Sequence, residues 1–341
     1  MARILLTGFE PFGENQNNIS EDILNAFGDL IEVCDPWQTM RDSSSDQAKI
    51  TVVVDKKLLT VDRSGSISTA KQIMDGESWD AIIHMGLCES CNLVRFETRA
   101  QNLLDMRIPD NAGRMEANTI IGEEHLHCSK GMVTAVNYPP ISSVVISNDA
   151  GSYLCNETYF RTLEAIKNVQ QSPQIPCCFV HFPSAEHVSI RESVKILEQI
   201  IARLLFKPVI DVAAALWLND DKIMLAKRNN KSDLPGCWEF PGGKVEPDET
   251  IFNAISRELQ EEFNIAVEPI KIYDNHYHEY QNIAINLTLV EVKGNVELLY
   301  LQRDSWTSHD NVAWFADIEH LNIAEADRKL ALEIINHINA K

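Results

Sequence analysis

The stretch GGKVEPDETIFNAISRELQEEFNI, residues 242–265, constrains the fold of this chain more than any other. Within it, Glu258, Glu261 and Glu262 follow the spacing i, i+3 and i+4, which places three carboxylates on one face of a helix. Carboxylates this close repel one another. The pattern therefore predicts either a cation bound between them or a solvated acidic face.

Two glycines, Gly242 and Gly243, immediately precede the acidic helix. Glycine tolerates positive φ and a close approach of the backbone, so a tight loop there can bring a carbonyl oxygen near the carboxylates. Three carboxylates, one carbonyl and open positions suit Mg²⁺, which keeps several waters and binds substrate phosphates. The spacing alone favours neither this metal site nor the solvated face.

The chain as a whole is long enough for two domains. It has 341 residues, of which 45 % are hydrophobic, which is the composition of a folded globular protein. Its N-terminal sequence lacks the long apolar region of a signal peptide, and no apolar run approaches the roughly 20 residues of a membrane helix. We therefore expect a cytoplasmic protein with no membrane partner, whose 8 cysteines are thiols.

The formal net charge of -20 argues against nucleic acid and anionic lipid as partners, because both bind basic surfaces. An acidic protein that handles phosphates usually needs a divalent metal to do so. That requirement again points to the three glutamates.

The first part of the chain alternates strand-like and helix-like segments, which indicates an α/β domain with helices flanking a largely parallel sheet. Its last helix is predicted at residues 189–205, where apolar residues recur at helical spacing. The strand-like runs are Arg3–Thr7, Ile50–Val53, Ala81–Met85, Met132–Val136 and Cys177–Phe182.

The pattern changes near Lys207 and Pro208, where proline disfavours continuation of the helix. Two short strands, the acidic helix, a further strand in AINLTLVEV and an amphipathic helix over about 325–338 follow in order. The predicted domains are therefore residues 1–206 and residues 207–341.

The acidic helix and its flanks resemble the Nudix box, G-x5-E-x7-R-E-U-x-E-E-x-G-U. The box has glycine where this chain has Asn264, and asparagine also tolerates the left-handed backbone that a helix C-terminus favours. The matching residues are Gly243, Glu249, Arg257, Glu258, Leu259, Glu261, Glu262 and Ile265.

This resemblance implies a second domain with the Nudix α/β/α sandwich and a mixed sheet. Such domains hydrolyse a nucleoside diphosphate linked to another moiety with bound Mg²⁺ or Mn²⁺, and Glu258 would help to activate the attacking water. Arg257 and Glu249 would orient the metal-binding carboxylates. The implied metal ligands are the Gly242 carbonyl, Glu258, Glu261 and Glu262.

The flanking sequence LPGCWEFPGGK narrows the resemblance to the 8-oxo-dGTP diphosphatase and CTP pyrophosphohydrolase branch. By that similarity Phe240 contacts the base, Arg228 contacts a phosphate or the base, and Asp327 reads the base. Core packing is the alternative for Phe240. The branch often has a further metal-binding glutamate where this chain has Ser308, and Asp310 is the nearest substitute.

A second informative stretch, ISNDAGSYLCNETYF, spans residues 146–160. A loop of small residues separates an apolar strand from an amphipathic run, so Cys155 is predicted in the first turn of a helix. The positive end of a helix dipole lowers the pKa of a thiol placed there. A buried packing cysteine is the alternative.

Three other segments accompany this cysteine: TGFEPFG from Thr7, RFETRAQNLLDMRIPDNAG from Arg95 and CCFVHFP from Cys177. In this order they resemble the pyroglutamyl peptidase I family, cysteine peptidases that remove an N-terminal pyroglutamate. The likeness covers roughly residues 1–205. It implies pyroglutamyl peptides as substrates and no cofactor for this domain.

The resemblance assigns Cys155 as the nucleophile, His181 as general base and then acid, and Glu97 as the carboxylate that orients His181. Without the resemblance, a histidine at the end of an apolar strand is interpreted as a core residue whose hydrogen bonds are satisfied, and this is the alternative for His181. Arg107 matches an arginine near the oxyanion site, where a cation stabilises developing charge.

Aromatic side chains are expected to enclose the flat lactam ring of the substrate. Phe9 and Phe12 match these positions in the family, and their alternative role is to anchor a turn in the core. Two nearby segments depart from the family. The Asn-Pro-Ser sequence reads Asn18-Ile19-Ser20 here, with Asn18 predicted to bind substrate, and a glycine-rich turn becomes GLCESC, Gly86–Cys91. These changes affect substrate preference.

The CESC and HLHC segments offer an alternative reading as a zinc site, since C-x2-C is a common ligand spacing. The family resemblance predicts no metal there. The residues concerned are Cys88, Cys91, His125, His127 and Cys128.

We therefore predict a bifunctional hydrolase. The first domain would release pyroglutamate from peptides, and the second would split a nucleoside triphosphate, including oxidised ones such as 8-oxo-dGTP, into monophosphate and pyrophosphate. As an alternative, one domain, more readily the Nudix one, is a noncatalytic nucleotide sensor or scaffold, or the Nudix substrate is a dinucleotide or nucleotide sugar. Members of the peptidase family commonly oligomerise, which leaves a homo-oligomer through the first domain open.

Overall fold

The computed structural model describes residues 1–41, 48–123, 128–130, 140–169 and 175–340. They form two compact units. The first holds the described residues of 1–38 and 45–206, and the second holds those of 39–44 and 207–341. Among the described residues, no helix is both long and apolar enough to cross a membrane.

The first unit is an α/β fold with one large sheet. Its strands are β1 (Ala2–Phe9), β2 (Leu30–Cys34), β3 (Lys49–Leu59), β4 (Ala81–Leu87), β5 (Val94–Glu97), β6 (Arg99–Gln101), β7 (Cys128–Lys130), β8 (Val144–Ser147) and β9 (Cys177–Phe182). Its helices are α1 (Ile19–Ala26), α2 (Arg63–Met74), α3 (Leu154–Val169) and α4 (Ile190–Leu205).

The large sheet has seven strands in the order β2-β3-β1-β4-β9-β5-β8. Strand β1 runs parallel to β3 and β4, β4 runs parallel to β9, and β5 runs parallel to β8. Two strand pairs of this sheet are antiparallel: β2 with β3, and β5 with β9. The predicted largely parallel sheet is confirmed, and the predicted strand Met132–Val136 lies outside the described residues.

The side chains of β1 explain why helices cover both faces of this sheet. Ile4 and Leu6 pack into a core with α1 and α4, whereas Leu5 and Phe9 pack into a second core with α2 and α3. Because successive strand residues point to opposite faces, a nearly continuous apolar strand needs cover on both sides. The result is the predicted α/β/α sandwich.

The second unit contains two small sheets. Its strands are β10 (Val209–Leu216), β11 (Leu218–Asn219), β12 (Lys222–Arg228), β13 (Trp238–Glu239), β14 (Gly242–Lys244), β15 (Glu268–Glu279), β16 (Ala284–Lys293) and β17 (His309–Phe315). Its helices are α5 (Ile251–Phe263), α6 (Val296–Leu301) and α7 (Glu325–Asn339).

One of these sheets has the order β14-β10-β16-β15, and the other joins β11, β12 and β13, with β17 paired to β12. Strand β10 is parallel to β16 and antiparallel to β14, so the sheet is mixed, as predicted. Ala213 and Ala215 of β10 face the core that contains α5, while Ala214 and Leu216 face the core that contains α7. This unit is therefore also an α/β/α sandwich.

Candidate functional site

Neighbouring strands of the first unit bring a histidine and a glutamate together. Glu97 of β5 pairs with Phe179 of β9, and His181 lies two residues further along β9, on the same face. His181 Nδ1 is 2.9 Å from Glu97 Oε1. The Glu97 side chain is fully buried, and its Oε2 atom has no hydrogen-bond partner in the described part of the chain.

Cys155 is the second residue of α3, in the first turn, where the sequence predicts it. Its half-buried thiol lies beside the His181 ring and interacts with it. Burial lowers the pKa of His181, but the interactions with Cys155 and Glu97 outweigh burial and raise that pKa to about 9. The three side chains thus form a chain of thiol, imidazole and carboxylate, with the imidazole charged at neutral pH.

Gly86 of β4 makes room for the sulfur. It pairs with His181 across the sheet, and a Cβ atom added to it would lie 2.9 Å from Cys155 Sγ and 3.0 Å from Phe179 Cζ. Any side chain at this position would therefore displace the thiol. In the sequence, Gly86 is the start of a turn that departs from the family, and a glycine near the end of a buried strand is also a sign of close backbone approach.

The two residues after the cysteine anchor α3 to the segment that carries Arg107. The Asn156 amide donates to the carbonyls of Gln101 and Leu103. Glu157 is buried, and burial alone would raise its pKa. Hydrogen bonds from Arg114 and Arg161 have the larger effect, so the pKa of Glu157 lies below its ordinary value. Sequence reasoning did not find these anchors, because neither motif predicts which partner each side chain meets.

A cavity of about 640 Å³ lies beside the start of α3, and two of the residues predicted to act on the substrate line it. Arg107 and Phe12 both line it, with Tyr153, whose ring centroid is 5.9 Å from that of Phe12. Glu89 of the CESC turn lines the same cavity. Phe9 is not among these lining residues; it is buried in the core between the sheet, α2 and α3.

Asn18 is the N-cap of α1 and is almost fully buried. Its Oδ1 atom accepts hydrogen bonds from the Ser20 backbone N–H at 3.1 Å and from the Ser20 hydroxyl at 2.8 Å. Ile19, where the family has proline, is the first helical residue. Proline is favoured there but not required, so this departure leaves the helix start intact.

The prediction that all cysteines are thiols is wrong for one pair, because Cys88 and Cys91 form a disulfide. The turn after β4 places their Cα atoms 5.4 Å apart, within the range of a disulfide. Their sulfurs are therefore bonded to each other and not to zinc. His125 and His127 lie outside the described residues, and within those the structure shows no group of three or more side chains suited to a metal.

In the second unit, Arg257 of α5 joins the acidic residues of the Nudix-like segment. It donates two hydrogen bonds to Glu249, at 3.0 and 2.9 Å. It also donates to Glu258 at 2.9 Å, to Glu261 at 3.2 Å and to the Lys244 carbonyl at 2.9 Å. The guanidinium holds the pKa of Glu249 below its usual range. One cation thus fixes Glu249, which lies just before α5, and Glu258 and Glu261 on the helix.

Two observations test whether these residues fit a metal. A Cβ atom at Gly243 would overlap the Glu258 carboxylate, so only glycine leaves that carboxylate its place. Glu262 Oε2 is buried without a hydrogen-bond partner, and burial raises the pKa of Glu262 to about 7. Burial likewise raises the pKa of Glu258, despite Arg257. Desolvated carboxylates of this kind fit a divalent cation.

Asn264 ends α5 with φ of 56° and ψ of 38°, the left-handed conformation predicted for it. The chain therefore turns here as a glycine would allow, although asparagine is present.

The residues expected near the base form a connected group. Phe240 is buried in the core against α7, and its backbone N–H donates to Asp327 Oδ1 at 2.9 Å. Arg228 pairs with Glu239 at 2.8 Å. Burial raises the pKa of Asp327 to about 8, aided by the Glu239 charge. Asp327 is therefore largely protonated at neutral pH.

Ser308 stands where the branch has a further metal-binding glutamate, and Asp310 was the expected substitute. The Ser308 hydroxyl lies beside Glu262 and opposes the rise in its pKa, whereas Asp310 is exposed and its carbonyl accepts from Arg303. His309, which the sequence analysis did not single out, lies between Glu262 and Glu239. Only the packing of β17 reveals this.

Two family models match the chain. Residues 2–206 match the pyroglutamyl peptidase family, and residues 208–333 match the NUDIX domain.

Individual relatives agree with these two matches. The pyrrolidone-carboxylate peptidase of Thermococcus litoralis is 28 % identical over 189 residues, which is 54 % of this chain and 77 % of that protein. The CTP pyrophosphohydrolase of Escherichia coli K12 is 44 % identical over 79 residues, which is 23 % of this chain and 58 % of that protein. The 8-oxo-dGTP diphosphatase of Proteus vulgaris is 41 % identical over 68 residues, which is 20 % of this chain and 61 % of that protein. The chain thus spans less than two thirds of either nucleotide hydrolase.

Proposed function

On the premise that this chain belongs to the pyroglutamyl peptidase family and carries a NUDIX domain after it, we propose the substrates of its two hydrolase activities. Residues 1–206 remove an N-terminal pyroglutamate from peptides. Residues 207–341 hydrolyse a nucleoside triphosphate to a monophosphate and pyrophosphate. The observation that carries the peptidase half is the contact of His181 with both Cys155 and Glu97.

In the peptidase reaction, His181 takes the thiol proton of Cys155, and the Cys155 sulfur attacks the carbonyl carbon that links pyroglutamate to the next residue. His181, held by Glu97, donates its proton to the leaving amine, so the C–N bond breaks and a thioester remains on Cys155. His181 then takes a proton from water, which attacks the thioester and frees pyroglutamate. The raised pKa of His181 suits its role as proton donor in the first step.

Substrate selection is assigned to the cavity beside Cys155. Phe12 offers an apolar face to the uncharged lactam, and Arg107 supplies a positive charge for the developing oxyanion. Phe9 supports Phe12 from the core, and Asn18 keeps the start of α1 in place. A lactam without charge suits such an apolar wall better than open glutamate does.

In the NUDIX domain, Gly242, Glu258, Glu261 and Glu262 would hold Mg²⁺ or Mn²⁺. When bound, the ion neutralises phosphate charge and makes a water more acidic. Glu258 accepts the proton of the attacking water, and Arg257 with Glu249 keeps Glu258 in position. Arg228 contacts a phosphate or the base, and Phe240 and Asp327 contact the base.

The test measures both activities in the full chain. One assay follows release of a fluorescent amine from a pyroglutamyl amide. The other follows pyrophosphate and phosphate release from canonical and oxidised nucleoside triphosphates with Mg²⁺. Cys155→Ser is expected to abolish only the first activity and Glu261→Gln only the second, so each variant is the control for the other.

Different failures of this test have different meanings. Absence of amine release by the wild type would overturn the peptidase assignment. If no triphosphate is hydrolysed but dinucleotides or nucleotide sugars are, the substrate class is wrong. If no nucleotide is hydrolysed while nucleotides change the peptidase rate, the NUDIX domain is a sensor.

A further inference from the structure

His309 begins β17 and is buried beside the glutamates of α5. Its side chain is 1 % exposed, and its ring stacks on Phe263 with centroids 5.0 Å apart and an interplanar angle of 19°. The Nε2 atom lies 2.8 Å from Glu239 Oε1. Arg228 donates to the other oxygen of Glu239 at 2.8 Å.

These contacts decide which ring nitrogen carries a proton. A carboxylate paired with an arginine accepts hydrogen bonds at both oxygens, so His309 Nε2 is the donor to Glu239. In the neutral ring the Nδ1 atom then carries a lone pair. The orientation of the ring is fixed by Glu239 on one edge and by Phe263 on one face.

The lone pair on Nδ1 faces Glu262. His309 Nδ1 and Glu262 Oε2 are 3.7 Å apart, and within the described part of the chain neither buried atom has a hydrogen-bond partner. This separation is too long for a hydrogen bond and is less than twice a metal–nitrogen distance of about 2.1 Å. Two buried electron-pair donors that face each other are stabilised by a cation between them, either a proton or a metal ion.

We infer that His309, through Nδ1, is a nitrogen ligand of the divalent cation that Glu262 binds in the NUDIX site. The inference rests on the proposed metal site of this domain. A carboxylate that holds the far nitrogen of a ligating histidine is the usual support for such a ligand, and Glu239 supplies it. Glu239 is then a positioning residue. The described residues contain no preassembled group of three such side chains.

A histidine changes which metal the site prefers. Mg²⁺ favours oxygen ligands, whereas imidazole suits transition metals such as Co²⁺ and Zn²⁺, and Mn²⁺ also accepts it. This chain lacks the glutamate of the branch at Ser308. His309 supplies a neutral nitrogen in that region, so Mn²⁺ and Co²⁺ are expected to bind more tightly than Mg²⁺.

The test uses the full chain loaded with one equivalent of Mn²⁺ and pulsed electron paramagnetic resonance, which detects ¹⁴N bound to the ion. The wild type is expected to show histidine ¹⁴N coupling, which changes when histidine is labelled with ¹⁵N. His309→Gln and Glu262→Gln are expected to lose the coupling. His278→Gln, on β15 of the same unit, is the matched control and keeps it.

Calorimetric titrations give a second reading of the same inference. His309→Gln is expected to weaken Mn²⁺ and Co²⁺ binding at least tenfold with little effect on Mg²⁺, and Glu239→Gln to weaken it about 10–100-fold. The wild type could bind Mn²⁺ in a way that Glu261→Gln weakens and yet show no nitrogen coupling. That result would overturn the role of His309 and leave the proposed metal site unchanged. Absence of any such Mn²⁺ binding would overturn the metal site itself. The wild-type spectrum decides even if His309→Gln fails to fold.

Discussion

His181 Nδ1 lies 2.9 Å from Glu97 Oε1, and the second oxygen of the Glu97 carboxylate is buried without a hydrogen-bond partner among the described residues. An unpartnered buried polar atom costs roughly 1–3 kcal/mol. A protein that keeps such a group does so for a reason other than stability. Here the carboxylate holds the imidazole against Cys155.

Replacing Glu97 by glutamine should lower kcat/KM for a pyroglutamyl amide by about 10²–10⁴-fold. The amide keeps the shape of the side chain but loses the charge that holds the His181 ring and stabilises its protonated form. Glu186→Gln, an exposed change near the end of β9, should leave the rate unaltered. A loss below about threefold in Glu97→Gln would show that the carboxylate has no catalytic role.

Gly86→Ala should reduce peptidase activity about 10–100-fold while the protein stays folded. The added methyl group would lie 2.9 Å from Cys155 Sγ, and a displaced nucleophile loses its alignment with the substrate. Gly28→Ala, whose methyl group would meet Ile31 at 3.2 Å, is the control for the loss of a glycine. Thermal unfolding and amide hydrolysis are measured side by side, and equal activity of the two variants would contradict the prediction.

Arg257→Gln should weaken Mn²⁺ binding about 10–100-fold. The change removes the cation that fixes Glu249, Glu258 and Glu261, so repulsion among the carboxylates is no longer offset. Arg328→Gln, whose guanidinium meets only the backbone carbonyl of Leu321 among its described hydrogen bonds, should bind Mn²⁺ as the wild type does. Calorimetry checks both variants, and unchanged affinity in Arg257→Gln would exclude the ordering role.

Asp327→Asn should stabilise the chain at pH 8 and have little effect near pH 4. Burial raises the pKa of folded Asp327 to about 8, whereas an unfolded aspartate has a pKa of about 3.9. Ionisation therefore favours the unfolded chain, and the wild type loses stability as the pH rises between these values, on the order of 5 kcal/mol in total. Urea unfolding of both proteins at several pH values measures the difference. A difference that does not grow with pH would show that the carboxyl ionises normally.

Counting thiols tests the disulfide. Six cysteines are free and Cys88 is bonded to Cys91, so denatured protein purified without reductant should react at six thiols, and at all 8 after reduction. Cys88→Ser frees Cys91 and should show seven thiols, the six plus Cys91, in both conditions. Eight reactive thiols in unreduced wild type would mean that the bond does not form in solution.

Much of the fold follows from local sequence. The apolar runs around Ala81 and Cys177 became β4 and β9, and the helical spacing before Lys207 became α4. Buried parallel strands are long and apolar enough to be read from composition alone. Cys155 was placed correctly because a loop of small residues and an amphipathic run determine where a helix starts.

The parts that sequence reasoning missed depend on long-range contacts. Gly86 matters only because α3 delivers a sulfur against it, and His309 matters because β17 places it between Glu239 and Glu262. Neither contact is encoded in spacing along the chain.

The disulfide is a local contact, since Cys88 and Cys91 are three residues apart. The expected redox compartment predicted thiols there, whereas the turn after β4 decides the pairing.

The anchors of α3 also limit how the peptidase site can be redesigned. Asn156 and Glu157 follow the nucleophile directly, and both are tied to residues 101–114, which include Arg107. The helix start that carries the sulfur and the segment that carries Arg107 are therefore joined by hydrogen bonds. Glu89 belongs to a separate turn at the cavity wall. An engineer who wants a new peptide preference should vary that turn and leave these hydrogen bonds of α3 intact.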